Sequence, residues 1–140
     1  MTKHINSEDH IFRYVGGASI DGDFIEPAAF RRKEKDGQME VGLSVNWVEW
    51  FGKQDPLDAV RPLSQIFMQK NFKIGKTSRF ALLNVGEAKA AAAKYAQITI
   101  VLDCQPNDAS HSLVTNYPES LNDQIAEQLA KIVTATYPAA

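Results

Sequence analysis

Four polar residues are the candidates for chemistry in this chain: Arg13, Ser44, Asp103 and His111. Asp103 lies at the end of an apolar run, and the turn-rich stretch 105–110 then leads to His111 at the start of a second run. A histidine beside an aspartate can hold or transfer a proton, because imidazole titrates near neutral pH. We expect Asp103 and His111 to lie near each other at one end of a buried strand, with the histidine donating to a backbone carbonyl or to an aspartate.

Arg13 and Ser44 lie on two earlier predicted strands. Arg13 shares a strand face with Ile11 and Val15, where an unpaired arginine would be costly to bury. It is therefore expected at the rim, in an ion pair, or on a bound anion. Ser44 belongs to the alternating run 39–47, whose second face carries small polar groups that either line a pocket or meet water.

The sequence lacks a strong catalytic or metal-binding motif. It has no Gly-rich phosphate loop, no nucleophile elbow, no paired-cysteine zinc pattern and no H-E-x-x-H. A metal site would have to combine His111 with an aspartate and a distant ligand, so we predict no metal. The single cysteine, Cys104, cannot form an internal disulfide and is expected as a buried apolar side chain.

The composition is that of an ordinary globular protein. With 140 residues, 44% of them hydrophobic, the chain suits one compact domain. Its 15 basic and 17 acidic residues leave no basic excess to attract nucleic acid or an anionic membrane. No apolar run reaches the length of a membrane span, and one cysteine suits a reducing compartment, so we expect a cytoplasmic protein.

The periodicity predicts a single α+β domain, with a mixed or mainly antiparallel sheet and helices packed on it. We divide the chain into a flexible N-terminal segment, 1–9, and this domain, 10–140. Strands are expected at 10–15, 39–47, 78–85, 98–104 and 111–114, of which 98–104 reads as an interior strand because both its faces are apolar. Helices are expected after Asp55-Pro56, in the alanine-rich stretch 88–95, and from Ser120 to Pro138. Pro62 should either kink the first of these helices or divide it into two short helices.

The densest aromatic cluster consists of Trp47, Trp50 and Phe51. Large, rigid apolar side chains are used both in cores and at protein interfaces. The cluster therefore predicts either a corner of the core or a partner-binding surface.

Five short stretches carry a resemblance to a known group: 12–15 (Phe-Arg-Tyr-Val), 27–31 (Pro-Ala-Ala-Phe-Arg), 43–45 (Leu-Ser-Val), 85–87 (Val-Gly-Glu) and 108–114 (Asp-Ala-Ser-His-Ser-Leu-Val). Together they resemble the scattered pattern of a recurrent group of small, uncharacterised bacterial proteins. The resemblance implies a bacterial protein and lends no established activity.

The order of Arg13, Ser44 and Asp103 is also similar to that of ADP-ribosyltransferase-like folds. Those folds place an arginine or histidine on an early strand, a serine-containing strand next, and an acidic residue later, around bound NAD. The resemblance implies Arg13 at a phosphate and Ser44 near the ribose. It implies Asp103 beside the positive charge that develops during the reaction.

Two functions from different classes follow. The first is a protein-interaction or accessory module without a cofactor, which binds a protein partner or a second copy of itself and requires Trp50 to be substantially exposed. The alternative is a small enzyme that binds NAD or another nucleotide. It requires Arg13, Ser44 and His111 to open into one cavity.

Overall fold

The computed structural model describes residues 2–35 and 37–140, so Met1, the first residue of the predicted N-terminal segment, and Asp36 lie outside the described residues. Within them, the strands are β1 (His10–Val15), β2 (Ile20–Asp21), β3 (Phe24–Ile25), β4 (Glu34–Lys35), β5 (Gln38–Met39), β6 (Leu43–Trp47), β7 (Arg79–Asn84), β8 (Thr99–Leu102), β9 (His111–Thr115) and β10 (Ala135–Pro138). The helices are α1 (Leu57–Gln69), α2 (Val85–Ala92) and α3 (Asn122–Lys131), and short 3₁₀ turns occupy Gly17–Ser19, Pro27–Phe30, Val48–Phe51 and Glu119–Leu121.

One six-stranded sheet forms the centre of the molecule, in the order β10-β7-β1-β6-β9-β8. Every pairing in it is antiparallel. The short pairs β2-β3 and β4-β5 lie outside it. The predicted α+β class is confirmed, and the sheet is wholly antiparallel within the described residues.

The sheet is covered on both faces, because its strands place alternate apolar side chains on opposite sides. On one side Phe12 packs with α1 through buried residues such as Leu63 and Phe67. On the other side Ile11 belongs to a larger core that includes residues of α2 and α3. The fold therefore has three layers, with α1 on one face and the two later helices on the other.

Helix α1 begins where the sequence predicted. The carboxylate of Asp55 accepts a hydrogen bond from the backbone nitrogen of Leu57 at 3.0 Å, which satisfies one of the free donors in the first turn. The helix continues across Pro62, so the alternative of two separate helices is wrong. Proline leaves the carbonyl of Asp58 without its helical donor, and this is tolerable because Asp58 lies in the exposed first turn, where water can reach it.

The end of the chain differs from the prediction of one long helix. Helix α3 ends at Lys131, and β10 follows at Ala135–Pro138. The backbone nitrogen of Thr134 donates to the carbonyl of Leu82 at 2.9 Å, and β10 then pairs with β7. The sheet thus supplies hydrogen-bond partners that the local sequence does not reveal.

Strand β8 is the last strand of the sheet, so the prediction of an interior strand is wrong. Its outer edge is lined by the N-terminal segment, in which Ile5 donates to the carbonyl of Ile100 at 2.9 Å and is 3% exposed. This contact supplies part of the apolar cover that suggested an interior position. Cys104 follows β8 and is exposed, contrary to expectation. The division of the chain at residue 9 stays a prediction.

The aromatic side chains on the α1 face provide a test of this core. Phe80 is fully buried and packs with ring centroids 5.7 Å from Phe12 and 5.4 Å from Phe67. We expect Phe80→Ala to lower the free energy of unfolding by about 3–5 kcal/mol, because it removes a buried ring and leaves a cavity. Urea denaturation followed by circular dichroism measures the change.

Phe24 offers a matched control, since it is a strand phenylalanine that is 58% exposed. Phe24→Ala should lower the free energy of unfolding by less than about 1 kcal/mol. Equal decreases in the free energy of unfolding for Phe80→Ala and Phe24→Ala would contradict the placement of Phe80 in the core between the sheet and α1.

Candidate functional site

The central sheet opens between β1 and β6. Within the described residues, their ladder consists of two pairs, Ile11 with Trp47 and Phe12 with Asn46. Beyond Phe12, β1 stays paired to β7 through Val15, and β6 stays paired to β9. The inner edges of β1 and β6 therefore separate in the middle of the sheet, where backbone groups of neighbouring strands normally pair.

A cavity of about 490 Å³ occupies this opening, which we call the β1/β6 cavity. Its volume lies within the range of small-molecule sites. The lining comes from both sides of the sheet, because the gap passes between the strands. It comprises Arg13, Tyr14, Val15, Gly16, Ser19, Ala28, Ala29, Lys33, Glu40, Ser44, Asn46, Phe67, Lys70, Phe72, Gln105 and His111. Three of the four predicted site residues, Arg13, Ser44 and His111, thus open into one cavity.

Arg13 holds the two separated strands together through its side chain. Its Nε donates to the carbonyl of Ala29 at 2.8 Å, and its Nη1 donates to the carbonyl of Ser44 at 2.9 Å. Burial lowers the pKa of the Arg13 guanidinium, and the nearby Glu40 carboxylate partly opposes that effect. Among the described residues no carboxylate lies within ion-pair distance of Arg13, so of the three expected alternatives the ion pair is not formed, and Arg13 bonds to neutral carbonyls instead.

His111 connects Ser44 to Asp103. Its Nε2 lies 3.2 Å from the Ser44 hydroxyl oxygen, and its Nδ1 lies 3.1 Å from the Asp103 carboxylate oxygen Oδ2. Nδ1 is also 3.1 Å from the Asp103 backbone carbonyl. The predicted proximity of Asp103 and His111 is confirmed. The three residues form a continuous chain of hydrogen bonds, the Asp103–His111–Ser44 chain.

The register of the sheet produces this chain. His111 lies directly opposite Asn46 across the β6-β9 ladder, so Ser44, two residues from Asn46, is its diagonal neighbour on the same face. The backbone nitrogen of Asp103 donates to the carbonyl of His111 at 2.8 Å, which continues the β8-β9 pairing by one residue. The side chains of three adjacent strands therefore meet at one edge of the cavity.

Asp103 does not occupy the place that the ADP-ribosyltransferase-like resemblance implies. Its carboxylate contacts His111 and is not part of the cavity lining. The Asp103 side chain is 46% exposed, so it lies at the surface beside the histidine.

A second aspartate, Asp108, anchors the loop that leads to His111, a structural role that no local sequence pattern predicts. Its side chain is fully buried. The carboxylate accepts hydrogen bonds from Asn46 Nδ2 and from the Ser110 hydroxyl, each at 2.9 Å. It also forms an ion pair at 3.0 Å with Lys70, at the C-terminus of α1. Burial alone would raise the pKa of Asp108, but the hydrogen bonds from Asn46, Lys70 and Ser110 and the charge of Lys70 outweigh it and lower the pKa. The carboxylate therefore ties β6, α1 and the loop together.

Aromatic rings form another part of the cavity lining. Tyr14 and Phe72 meet edge to face with their centroids 4.8 Å apart, and both lie close to Phe67. Phe72 is 41% exposed, although it belongs to this aromatic group. A planar, apolar part of a ligand could pack against these rings.

The predicted aromatic surface at Trp47, Trp50 and Phe51 separates into two environments. The indole nitrogen of Trp47 donates to the carboxylate of Asp9 at 2.9 Å, and Trp47 packs on the larger core. Phe51 packs on the α1 side. Trp50 is 44% exposed and stacks edge to face on Phe51.

The described residues contain no group of three or more His, Cys, Asp or Glu side chains placed to hold a metal ion. None of the helices described is long and apolar enough to cross a membrane. Comparison with protein-family models, curated proteins and solved structures finds no match for this chain. The two resemblances stay predictions.

The Asp108 network makes a testable contribution to stability. We expect Asp108→Asn to lower the free energy of unfolding by about 3 kcal/mol, because it leaves the Lys70 charge partly buried without its partner. Because the folded-state pKa of Asp108 is lowered, its stabilising effect is present above the ordinary aspartate pKa of about 3.9 and is lost as the pH falls through the folded-state value. The difference between wild type and variant should therefore be constant above about pH 5 and shrink below about pH 4.

Urea denaturation at a series of pH values measures this difference. Asp21→Asn is the matched control, because Asp21 is an exposed aspartate, and it should change stability by less than about 0.5 kcal/mol. A difference for Asp108→Asn that grows on acidification would contradict the assignment.

Proposed function

We propose that this protein binds an anionic small molecule of the nucleotide class in the β1/β6 cavity. The observation that carries the proposal is the lining of the cavity, in which, among the described residues, Arg13, Lys33 and Lys70 face one carboxylate, Glu40. Lys70 is neutralised by Asp108, and one of the other two cations can be balanced by Glu40. One positive charge is left for a ligand.

Arg13 is the main reason to expect an anion. Even a partly buried cation is costly unless an opposite charge compensates it, and the carbonyl partners of Arg13 supply hydrogen bonds without a negative charge. The two bonds of Arg13 use two of its five donor hydrogens. A phosphate or carboxylate group in the cavity would both accept from the remaining donors and offset the charge.

The aromatic wall favours a ligand that also has a ring. Tyr14 and Phe72 line the same cavity as Arg13, so one molecule could contact both parts. A nucleotide combines an anionic phosphate with a planar base that packs against aromatic side chains. NAD and simple mononucleotides are therefore the first ligands to examine.

Thermal denaturation with added ligand tests the proposal. Inorganic phosphate, AMP, ADP and NAD should be compared, and a ligand present at 100 times its dissociation constant should stabilise the native state by about 2.7 kcal/mol and raise its melting temperature. Lys33→Ala should weaken binding about fivefold, because it removes a charge worth up to about 1 kcal/mol at an exposed position. Added salt should weaken binding as well.

Lys76→Ala is the matched control, since Lys76 is exposed and does not line the cavity. Arg13→Gln should abolish the stabilisation, and circular dichroism establishes whether that variant folds. Failure of all four ligands to raise the melting temperature would argue against the proposal. An equal loss of affinity in the Lys33 and Lys76 variants would also do so.

A second candidate function is association with a protein partner through Trp50. It is favoured by one observation, the 44% exposure of this large aromatic side chain in the 3₁₀ turn that follows β6. Exposed tryptophans contribute strongly to protein interfaces. Trp50 contacts Phe51, which packs on the α1 side, whereas Trp47 packs on the larger core, so Trp50 is the residue proposed to contact the partner.

We expect Trp50→Ala to reduce self-association or partner capture without unfolding the domain. Sedimentation velocity over a concentration series measures self-association, and circular dichroism verifies the fold. Phe24→Ala removes an exposed aromatic ring from a different strand and should have no effect. The second candidate function fails if Trp50→Ala leaves both self-association and the capture of a partner protein unchanged.

A further inference from the structure

We infer that the Asp103–His111–Ser44 chain makes the Ser44 hydroxyl a nucleophile toward carboxylic esters that carry a negatively charged group, and that the protein hydrolyses such esters. For the recognition of the charged group, the inference rests on the proposed function. For the reactivity of Ser44, it rests on separate geometry.

The hydrogen-bond partners of His111 fix which ring nitrogen carries the proton. Nδ1 faces two oxygens of Asp103, a carbonyl and a carboxylate, each 3.1 Å away. Both are acceptors, so Nδ1 must donate, and in the neutral ring Nε2 must then accept. The Ser44 hydroxyl, 3.2 Å from Nε2, is the donor that meets it.

This arrangement gives the three groups distinct roles. Nε2 of His111 is placed to take the Ser44 proton, and the Asp103 carboxylate orients the ring and stabilises the imidazolium that forms. Such a constellation is recognised by geometry and roles rather than by its position in the sequence. The absence of a nucleophile elbow therefore does not exclude it.

Ser44 and His111 are both accessible to a ligand. They line the β1/β6 cavity, whereas Asp103 lies behind the histidine on the outer side. The His111 side chain is 8% exposed, so it is held between its partners and still reaches the cavity. A substrate carbonyl in the cavity could approach the Ser44 oxygen.

Arg13 brings a positive charge to the backbone of Ser44. Its Nη1 donates to the carbonyl of Ser44 at 2.9 Å, which fixes the guanidinium at the main chain of the attacking residue. A fixed positive charge in a partly dry site stabilises the oxyanion of a tetrahedral intermediate. Lys33, at the same cavity, is then the group that attracts the negatively charged part of the ester.

The reaction proceeds in two balanced steps. The Ser44 oxygen bonds to the ester carbonyl carbon while its proton moves to His111 Nε2; the carbon–oxygen bond to the alcohol then breaks, and the alcohol leaves with that proton. Water next adds to the acyl-serine, giving one proton to His111. The bond to Ser44 breaks, its oxygen regains a proton from His111, and the carboxylic acid departs.

Two probes test the inference on the whole chain. A fluorophosphonate forms a phosphorus–oxygen bond with an activated serine and releases fluoride and a proton, which intact-mass measurement and peptide mapping detect. Mono-4-nitrophenyl succinate, an anionic ester, releases coloured 4-nitrophenolate on hydrolysis. We expect label on Ser44 and hydrolysis of this ester at least tenfold faster, in kcat/KM, than that of neutral 4-nitrophenyl butyrate.

The variants separate the roles. Ser44→Ala should abolish labelling and hydrolysis, whereas Ser120→Ala, which removes an exposed hydroxyl outside the cavity, should retain both. Asp103→Asn should slow both about 100-fold, because the amide can donate to Nδ1 and favour the wrong tautomer. Lys33→Ala should reduce the preference for the anionic ester about fivefold, the same factor by which it should weaken anion binding.

The inference is overturned if the folded wild-type protein neither takes up label nor releases 4-nitrophenolate, or if Ser44→Ala does either as fast as the wild type. Equal kcat/KM values for the two esters overturn the anionic substrate class. Nucleotide binding without serine reactivity would leave the proposed function standing and refute the Ser44 nucleophile. Serine reactivity without any anion binding would support the Ser44 nucleophile and refute the proposed function.

Discussion

The opening between β1 and β6 is the constraint on which the rest of the site depends. Their backbone ladder stops after two pairs, and the side chain of Arg13 takes over by donating across the gap to Ser44. A sheet that separates in its middle loses backbone hydrogen bonds. The backbone N–H and C=O groups left without partners cost free energy when they are buried. Here the same separation creates the cavity and places a cation in its wall. The architecture and the candidate chemistry therefore have one structural cause.

The Asp108 network supports the other side of that opening. Asn46 lies opposite His111 in the ladder and donates to Asp108, which also pairs with Lys70, the residue that follows α1. Such a buried network favours one arrangement of its members, because any other would leave polar groups unsatisfied. The position of His111 is thus determined by its own ladder and by the loop before it. A proton-transfer residue needs that precision, since small displacements weaken hydrogen bonds steeply.

The sequence predicted the local structure well and the long-range structure poorly. The alternation in β1 and β6 and the turn residues before His111 depend on neighbours along the chain. β1 and β9 form where expected, whereas β6 covers only 43–47 of the predicted strand 39–47, because Gln38–Met39 form β5 and pair with β4. The bond from Arg13 to Ser44, the burial of Asp108 and the pairing of β10 with β7 depend on residues far apart in sequence. A single sequence does not encode such partners in any periodic pattern. The same limit explains why β8 was assigned to the interior, since apolar residues on both faces do not reveal which strand lies beside them.

The contact between residues 3–5 and β8 has a consequence for how the protein behaves in concentrated solution. An uncovered β-strand at the side of a sheet offers free donors and acceptors to other chains and so promotes aggregation. The backbone nitrogen of Ile5 donates to the carbonyl of Ile100, and that of Leu102 donates to the carbonyl of Lys3 at 2.8 Å. Residues 3–5 therefore occupy backbone donors and acceptors along the outer side of β8. The opposite side ends in β10, where Pro138 lacks a backbone donor. Both margins of the sheet therefore discourage the addition of a foreign strand.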